Sequence, residues 1–439
     1  MLHRRHWLLR LATLGLPLLL LGGCGSRDGA EDGTTATTGQ IRVVNALASG
    51  AAVDVYVDNS RVATGVAAGT ASPTLTLAGG SHSVSVATGN GLERNPLSLT
   101  VASGSATTLV AWSSAADTVS YQALDDQPAA PPAGRTRLQV FDAARAAGSL
   151  DVHLSDTSAA LGETTRLATS LTAGGTLTSG LVDAGARRLR VLAAGSVLER
   201  DVRLDRLLTL PDRGTVTLVI TPSVGGVLTH ALQIPAGAAV TALNNTRARM
   251  RLVTGVSTST GVSGRFGSTD VGSFTGSPAV GTYVLIPAGT GTLAVTVGDT
   301  AITGPTWTAE PGSDTTVLVM NNASPPQVTV FADDNRPPTG SGQARPPPVH
   351  GLSDLNQPLT FALNYGATLG TAAPGAGSDY ATVAATTSAT VSVSRTLGST
   401  ATVWETPRTL DSAGVYTVFL LGDSQKAVGD GRVSTLLKE

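Results

Sequence analysis

The side chains in this sequence that are equipped for chemistry are few and scattered. Beyond residue 24 the histidines are His82, His153, His230 and His350, and none has a second histidine or a carboxylate at a metal-ligand spacing such as His-x-x-x-His. They are expected to be structural or solvated, with His153 on the outward side of a strand and the others near turns. Asp54 and Asp151 occupy matching places in two successive repeats, but the next two repeats carry Ser263 and Thr360 there, so no carboxylate pair for acid–base work is assembled. Both aspartates are expected to face solvent. Asn45, Asp142, Thr254 and His350 also match, and four different polar groups at one place argue against a shared chemistry. No Gly-x-Ser-x-Gly elbow, phosphate loop, EF-hand loop or His-Glu-x-x-His is present. Asp125-Asp126 and Asp333-Asp334-Asn335 fall between repeats, where oxygen ligands could clamp a calcium ion. Two or three oxygens fall short of the roughly six to eight that calcium takes, so solvated turns are the simpler reading. Trp112, Trp307 and Trp404 could stack on sugar rings, but their places in the repeats do not match, which favours core or edge packing. These residues thus nominate no catalytic group, cofactor or dedicated metal site.

The elements that would have to position them are constrained by composition. The chain has 439 residues, 41% hydrophobic but only 4% aromatic and 14% charged, with 51 glycines and 23 prolines. Plentiful apolar residues with few charges exclude a disordered chain or a charge-laced coiled coil. The single cysteine excludes an internal disulfide or a cysteine-rich zinc site, so the fold must be held by burial. A net charge of -2 offers no field for nucleic acid.

That cysteine has a suggestive context. Arg4, Arg5 and Arg10 precede an apolar run from Leu11 to Leu21, which is too short to span a bilayer core of about 20 residues. Residues 1–23 therefore read as a cleaved signal peptide. Leu21-Gly22-Gly23-Cys24 resembles a bacterial lipobox. The resemblance implies that Cys24 becomes a lipidated N-terminus, with enough acyl chains to anchor stably where one would not. Residues 24–40 then form the lipidated cysteine and a flexible tether. Gly25 stands where enterobacterial lipoproteins that stay in the inner membrane carry aspartate, which points to the outer membrane.

Four repeats follow. Each opens on a strand pattern, at Ile41-Arg-Val-Val-Asn-Ala46, Arg137-Leu-Gln-Val-Phe141, Arg249-Met-Arg-Leu-Val253 and Arg345 to Gly351. A second strand alternates with period two, at Val53-Asp-Val-Tyr-Val57, Leu150-Asp-Val-His-Leu154, Val262 to Phe266 and Leu359-Thr-Phe-Ala-Leu363. A hairpin-like pair around a glycine turn comes next, clear at Leu75–Val86 and Tyr283–Val297 and unclear between Ala168 and Gly185. Each repeat closes on a glycine, Gly104, Gly214, Gly312 or Gly414, followed by an apolar run. This spacing predicts an all-β chain of tandem immunoglobulin-like antiparallel β-sandwich domains at 41–126, 136–234, 248–335 and 344–432. The last is partly divergent because Pro346-Pro347-Pro348 must lie at a sheet edge or outside it. Proline-bearing connectors suggest separate beads on a string.

The strings Ile41-Arg-Val-Val-Asn-Ala46, Val53-Asp-Val-Tyr-Val-Asp58, Val66-Ala-Ala-Gly-Thr70 and Leu77-Ala-Gly-Gly-Ser-His-Ser-Val84 resemble the bacterial domain of unknown function 4397. The resemblance implies tandem β-sandwiches in a secreted or envelope-anchored protein and supplies no catalytic residues. The expected role is non-enzymatic, a structural part or a binder of an envelope protein or glycan, attached to the membrane through lipid on Cys24. The alternative, an envelope hydrolase or hydrolase accessory, would need a catalytic constellation that the residues do not display.

Overall fold

The computed structural model describes residues 37–48, 50–88, 95–115, 118–338, 340, 342–379, 381–395, 402–425 and 433–438. The signal peptide read at 1–23, Cys24 and the tether up to residue 36 lie outside the described residues.

The first sandwich contains β1 (Thr38–Ala46), β2 (Val53–Val57), β3 (Ser60–Val66), β4 (Leu75–Ala78), β5 (Gly80–Thr88), β6 (Leu97–Val101), β7 (Ala106–Ala115) and β8 (Thr118–Asp125). One sheet runs β4-β1-β7-β8 and the other β3-β2-β5-β6. The same two orders recur around Arg135–Asp142 and Leu150–Ser155, with Thr241–Leu243 added as a fifth strand, around Arg247–Thr254 and Val262–Phe266, and around Pro348–Leu352 and Leu359–Leu363. The chain is all-β, and short β-branched stretches with period-two burial, such as Val53, Val55 and Val57, build each core.

Several boundaries and connections differ from the sequence expectation. Strand β1 starts at Thr38, inside the expected tether, because Gly39 and Gln40 find ladder partners in Leu77 and Thr76. The last strand, Val433–Lys438, extends the fourth sandwich past residue 432 by pairing with Tyr416–Gly422. The expected hairpins around Gly80 and Gly289 are crossings between sheets, since β4 pairs with β1 whereas β5 pairs with β2 and β6. Gly80, Gly185 and Gly289 make these corners with φ of 136°, 98° and 126°. The indistinct region of the second sandwich holds the same elements, Thr176–Asp183 and Gly185–Ala193.

Each sandwich also has one parallel pair where only antiparallel pairs were expected, with β1 beside β7 and its three counterparts alike. The chain reaches β7 by crossovers rather than a hairpin, and a crossover connection permits a parallel neighbour. With β1 between β4 and β7, the strand order departs from that of immunoglobulin domains. Pro348 opens a central strand rather than an edge. This is tolerated because Pro347 and Pro348 need only accept, from the N–H groups of Val418 (2.9 Å) and Ser378 (2.9 Å).

The β1 sheet is covered on both faces. Ile41, Val43, Leu109 and Ala111 point into the first core. Val44, Ala46, Val110, Trp112 and Leu124 instead pack against Phe141, Ala143, Val219, Leu232 and Ile234 of the second sandwich. Trp112 meets Phe141 edge-on at 5.4 Å and 82°. The third and fourth sandwiches repeat the arrangement, with Val253, Leu318 and Met320 against Val349, Phe419 and Leu421. There the backbones nearly touch, since a Cβ on Gly255 would lie 2.1 Å from the Gly351 carbonyl oxygen. Two face-to-face pairs therefore replace the expected beads on a string. Burying each large side chain contributes about 1.5–3 kcal/mol, which a free connector would forgo. Replacing Trp112 with alanine is expected to cost about 3–5 kcal/mol. In calorimetry the loss should appear as a lower-melting transition from the first pair, and an unchanged thermogram would refute this role.

Candidate functional site

The matched polar residues at the end of the first strand in each sandwich share one local task. Asn45 Oδ1 accepts from Leu47 N (3.1 Å), Asp142 Oδ1 from Ala144 N (2.8 Å), Thr254 Oγ1 from Val256 N (3.3 Å) and His350 Nδ1 from Leu352 N (3.3 Å). Any short acceptor can cap the chain where it leaves the sheet, which explains four residue types at one place. Burial pushes Asp142 up to about 6, with only the Ala144 N–H opposing it, and its Oδ2 is buried without a partner. Burial pushes His350 down to about 4, and its Nε2–H donates to Gln357 O (3.2 Å).

The remaining titratable candidates do not converge. His82 donates to Asp58 (2.7 Å) and to Ala78 O (2.8 Å), and its hydrogen bond to Asp58 raises its pKa. His230 Nδ1 accepts from Asn245 N (2.9 Å), and burial lowers it. Asp54 holds Gly65 N (2.9 Å) and Arg61 (3.2 Å). Asp151 and His153, expected at the surface, are only 1% and 4% exposed, because residues 156–164 fold back over their sheet. Asp151 accepts from Ser170 N (2.8 Å) and Gly195 N (2.9 Å). The length of the insertion between Leu154 and Thr165 was the available signal of that cover. Trp112 lies in the first pairing face, Trp404 in the fourth core and Trp307 against the third, so they do not form a common platform.

The junction acids do converge, on arginine. Asp126 accepts from Thr108 Oγ1 (2.7 Å) and pairs with Arg42 (3.3 Å), which also donates to Pro235 O (3.1 Å) and Ala238 O of the second sandwich. Asp333 accepts from Thr316 Oγ1 (2.6 Å) and Tyr283 Oη (2.7 Å), with Arg251 at 3.8 Å. Arg251 is 0% exposed and donates to Thr316 (2.8 Å) and to Thr417 (3.1 Å) of the fourth sandwich. Its guanidinium also lies 4.4 Å from the Tyr283 ring and 5.0 Å from Phe419. Arg42 faces Thr108 and Arg251 faces Thr316 in the strand registers, so one Arg–Thr–Asp clasp is built twice. Asp334 accepts from Arg336 (2.7 Å) and Arg345 (2.9 Å), and Asp125 from Gln127 N (2.8 Å). Asp126, Asp333 and Asp334 thus each accept from donors of this chain. Among the described residues, no group of three or more His, Cys, Asp or Glu is placed to hold a metal ion.

Clefts of about 150 Å³ and 190 Å³ flank the two clasps, lined by Asp126, Gln139 and Thr217 and by Asp333, Pro347 and Thr417. A third, of about 220 Å³, lies where Leu47, Ala48, His230 and Arg336 meet. All are smaller than the roughly 300–1,000 Å³ of ordinary small-molecule sites. No helix among the described residues is long and apolar enough to cross a membrane, which says nothing of membrane-spanning strands.

Two outcomes are expected from these geometries. Arg251→Ala leaves Asp333 buried against a lost counter-charge and should cost about 3–5 kcal/mol in chemical denaturation. A loss below about 1 kcal/mol, the range of exposed pairs, would show the clasp to be incidental. For Asp142, folding raises the pKa above its unfolded value, so the stability it contributes is full below about 3.8 and is lost as pH rises through about 6. The stability of Asp142→Asn relative to wild type should therefore climb between about pH 4 and pH 7, by up to about 3 kcal/mol, and a flat difference would contradict the burial argument.

No curated protein matches the chain. Among solved structures, it is similar to a candidate cell adhesion protein from Bacteroides ovatus at 10% identity and a TM-score of 0.21, covering 46% of this chain and 96% of that one. It is similar to another from Bacteroides uniformis at 12% identity and 0.21, covering 46% and 98%. The Bacillus anthracis TIE protein is similar at 10% identity and 0.15, covering 84% and 66%. Residues 39–153, the whole first sandwich and the opening strands of the second, match the family DUF4397, a domain of unknown function.

Proposed function

We propose that the chain is a lipid-anchored bacterial cell-envelope protein, held through lipid on Cys24 at the outer membrane, with a non-enzymatic structural or binding role towards an envelope protein or glycan. The observation that carries the non-enzymatic reading is the use of its buried polar side chains. Arg42, Asp126, Arg251, Asp333, Asn45 and Asp142 all serve to join sandwiches or to cap strands. Paired sandwiches of this kind make stiff blocks whose loops and outer sheets remain free to meet a partner. The anchor is supported by Leu21-Gly22-Gly23-Cys24 behind a cationic and then apolar leader.

Expression of the full chain in a bacterium fed a radiolabelled fatty acid tests the anchor. Label on the wild type and recovery with membranes, both lost in Cys24→Ala, are the expected outcome. An unlabelled wild type, or label that persists in the variant, would overturn it. The detergent-solubilised full chain, incubated with envelope extracts and a glycan array, tests the binding role, and capture of nothing would leave a passive structural part.

A further inference from the structure

The second and third sandwiches meet through a closed ring of hydrogen bonds in which every donor is a backbone N–H. His230, in the strand Thr229–Pro235 of the second sandwich, accepts at Nδ1 from Asn245 N (2.9 Å) in the connector. Asn245 Oδ1 accepts from Arg247 N (3.0 Å), Arg247 O from Gly312 N (2.8 Å), and Gly312 O from Gly225 N (3.1 Å), which returns the ring to the second sandwich. Asn245 is 3% exposed, and its Nδ2 donates to Arg203 O (2.7 Å) and Thr229 O (3.0 Å). Packing around the ring is close, since a Cβ on Gly312 would stand 3.2 Å from His230 Cε1. Ser223 Oγ near Gly312 O (2.9 Å), and the longer bonds from Arg145 to Pro338 O (3.3 Å) and from Arg336 to Ala48 O (3.5 Å), add to the contact between the two pairs. Among the described residues no apolar cluster spans this joint, so polar contacts hold it closed.

One member of the ring titrates near neutrality. A backbone N–H can only donate, so His230 Nδ1 must keep its lone pair, and the neutral ring carries its proton on Nε2. A second proton, on Nδ1, would face the Asn245 N–H as donor against donor at 2.9 Å. The surroundings offer an imidazolium no compensation. Thr221, across the strand pair, and the hairpin loop 222–228 are uncharged. Glu310, in the turn that carries Gly312, and Arg247, in the connector, are exposed. Arg336 lines the same cleft as His230 and is paired with Asp334 (2.7 Å), while Asp314, packed on Gly225, is taken by Arg249 (2.7 Å and 2.5 Å). Arg203 adds a further positive charge beside the connector. Burial lowers the His230 pKa below its ordinary 6.5.

We propose that His230 is an acid-operated latch on this joint: a proton gained at Nδ1 expels the Asn245 N–H, opens the ring and frees the third and fourth sandwiches to move as one block against the first and second. The open joint exposes the imidazole to water, where it takes its proton at about 6.5, whereas in the closed joint it does so only at lower pH. Closure is therefore at full strength above about 6.5 and weakens as pH falls through the interval between the two values, where the ratio of open to closed grows about tenfold per pH unit.

Hydrogen–deuterium exchange of the detergent-solubilised full chain, read by mass spectrometry between about pH 7 and pH 5 and corrected for the intrinsic pH dependence of exchange, tests this. Protection of the segments holding Gly225, Asn245 to Arg247 and Gly312 should fall by about tenfold per pH unit within that interval, while the facing sheets at Val110 and Val219 and at Leu318 and Phe419 keep theirs. His230→Asn, whose side-chain oxygen is an acceptor that cannot titrate here, should abolish the fall. His230→Ala, which offers no acceptor, should lower protection of the joint already at pH 7, again without a pH response, and gives a reading should the asparagine variant not fold. Protection of the wild-type joint that does not change with pH, a fall shared equally by all four sandwiches, or a fall that persists in either variant would overturn the proposal.

Discussion

The structure depends on burying the β1 sheet from both sides. One face fills a small core, and the other closes on the next sandwich through Val44, Val110 and Trp112 or through Val253, Leu318 and Met320. A sheet so covered carries continuous apolar runs, Val317–Met320 and Val418–Leu421 within the all-buried strands Asp314–Met320 and Tyr416–Gly422, whereas the opposite sheets keep an alternating pattern. It also explains how a chain with 4% aromatic residues supports four small sandwiches. Each half of a pair lends the other an apolar layer that its own core lacks.

Pairing gives the four repeats a two-fold alternation. Arg42, Thr108 and Asp126 of the first sandwich have their counterparts in Arg251, Thr316 and Asp333 of the third, and each arginine reaches the sandwich that follows. The second and fourth carry Gln139 and Pro347 at the arginine position and receive the clasp instead of making it. Among the described residues no apolar cluster joins the second sandwich to the third. Their contact includes backbone hydrogen bonds, from Asn335 N to Gly225 O (3.1 Å) and from Gly225 N to Gly312 O (3.1 Å), and a buried side-chain bond from Ser223 Oγ to Gly312 O (2.9 Å). Close glycine packing permits this approach, since a Cβ on Gly225 would meet Asp314 N at 2.7 Å. The molecule is best understood as two tightly built pairs with a polar joint.

This arrangement bears on function through what it uses up. Arg42, Asp126, Thr108, Arg251, Asp333 and Thr316 are committed to holding sandwich to sandwich, where a buried charge is tolerable only with its partner in place. Under the proposed function, the outer sheets and loops are the surfaces that meet a partner. Among the described residues the second sandwich alone places an extra roof on its outer sheet.

By itself the sequence determined what depends on local periodicity. Val53-Asp-Val-Tyr-Val57 alternates because one side faces a core, and the recurrence of glycine-bounded strands at about one hundred residues sets the number of sandwiches. Even there the register hides details, since the left-handed turn residue is Gly104 and Gly312 in the odd sandwiches but Arg213 and Ala413 in the even ones. Only the tertiary structure decided which sheet a strand joins after a glycine corner, what covers the second face of an apolar run, and which cation meets an acid. Arg42 and Asp126 are 84 residues apart, and Arg251 and Thr417 are 166 apart. Alternation along a strand records that a face is buried, but the identity of what buries it is set by chain segments distant in sequence, brought together by the shared gain of removing both surfaces from water.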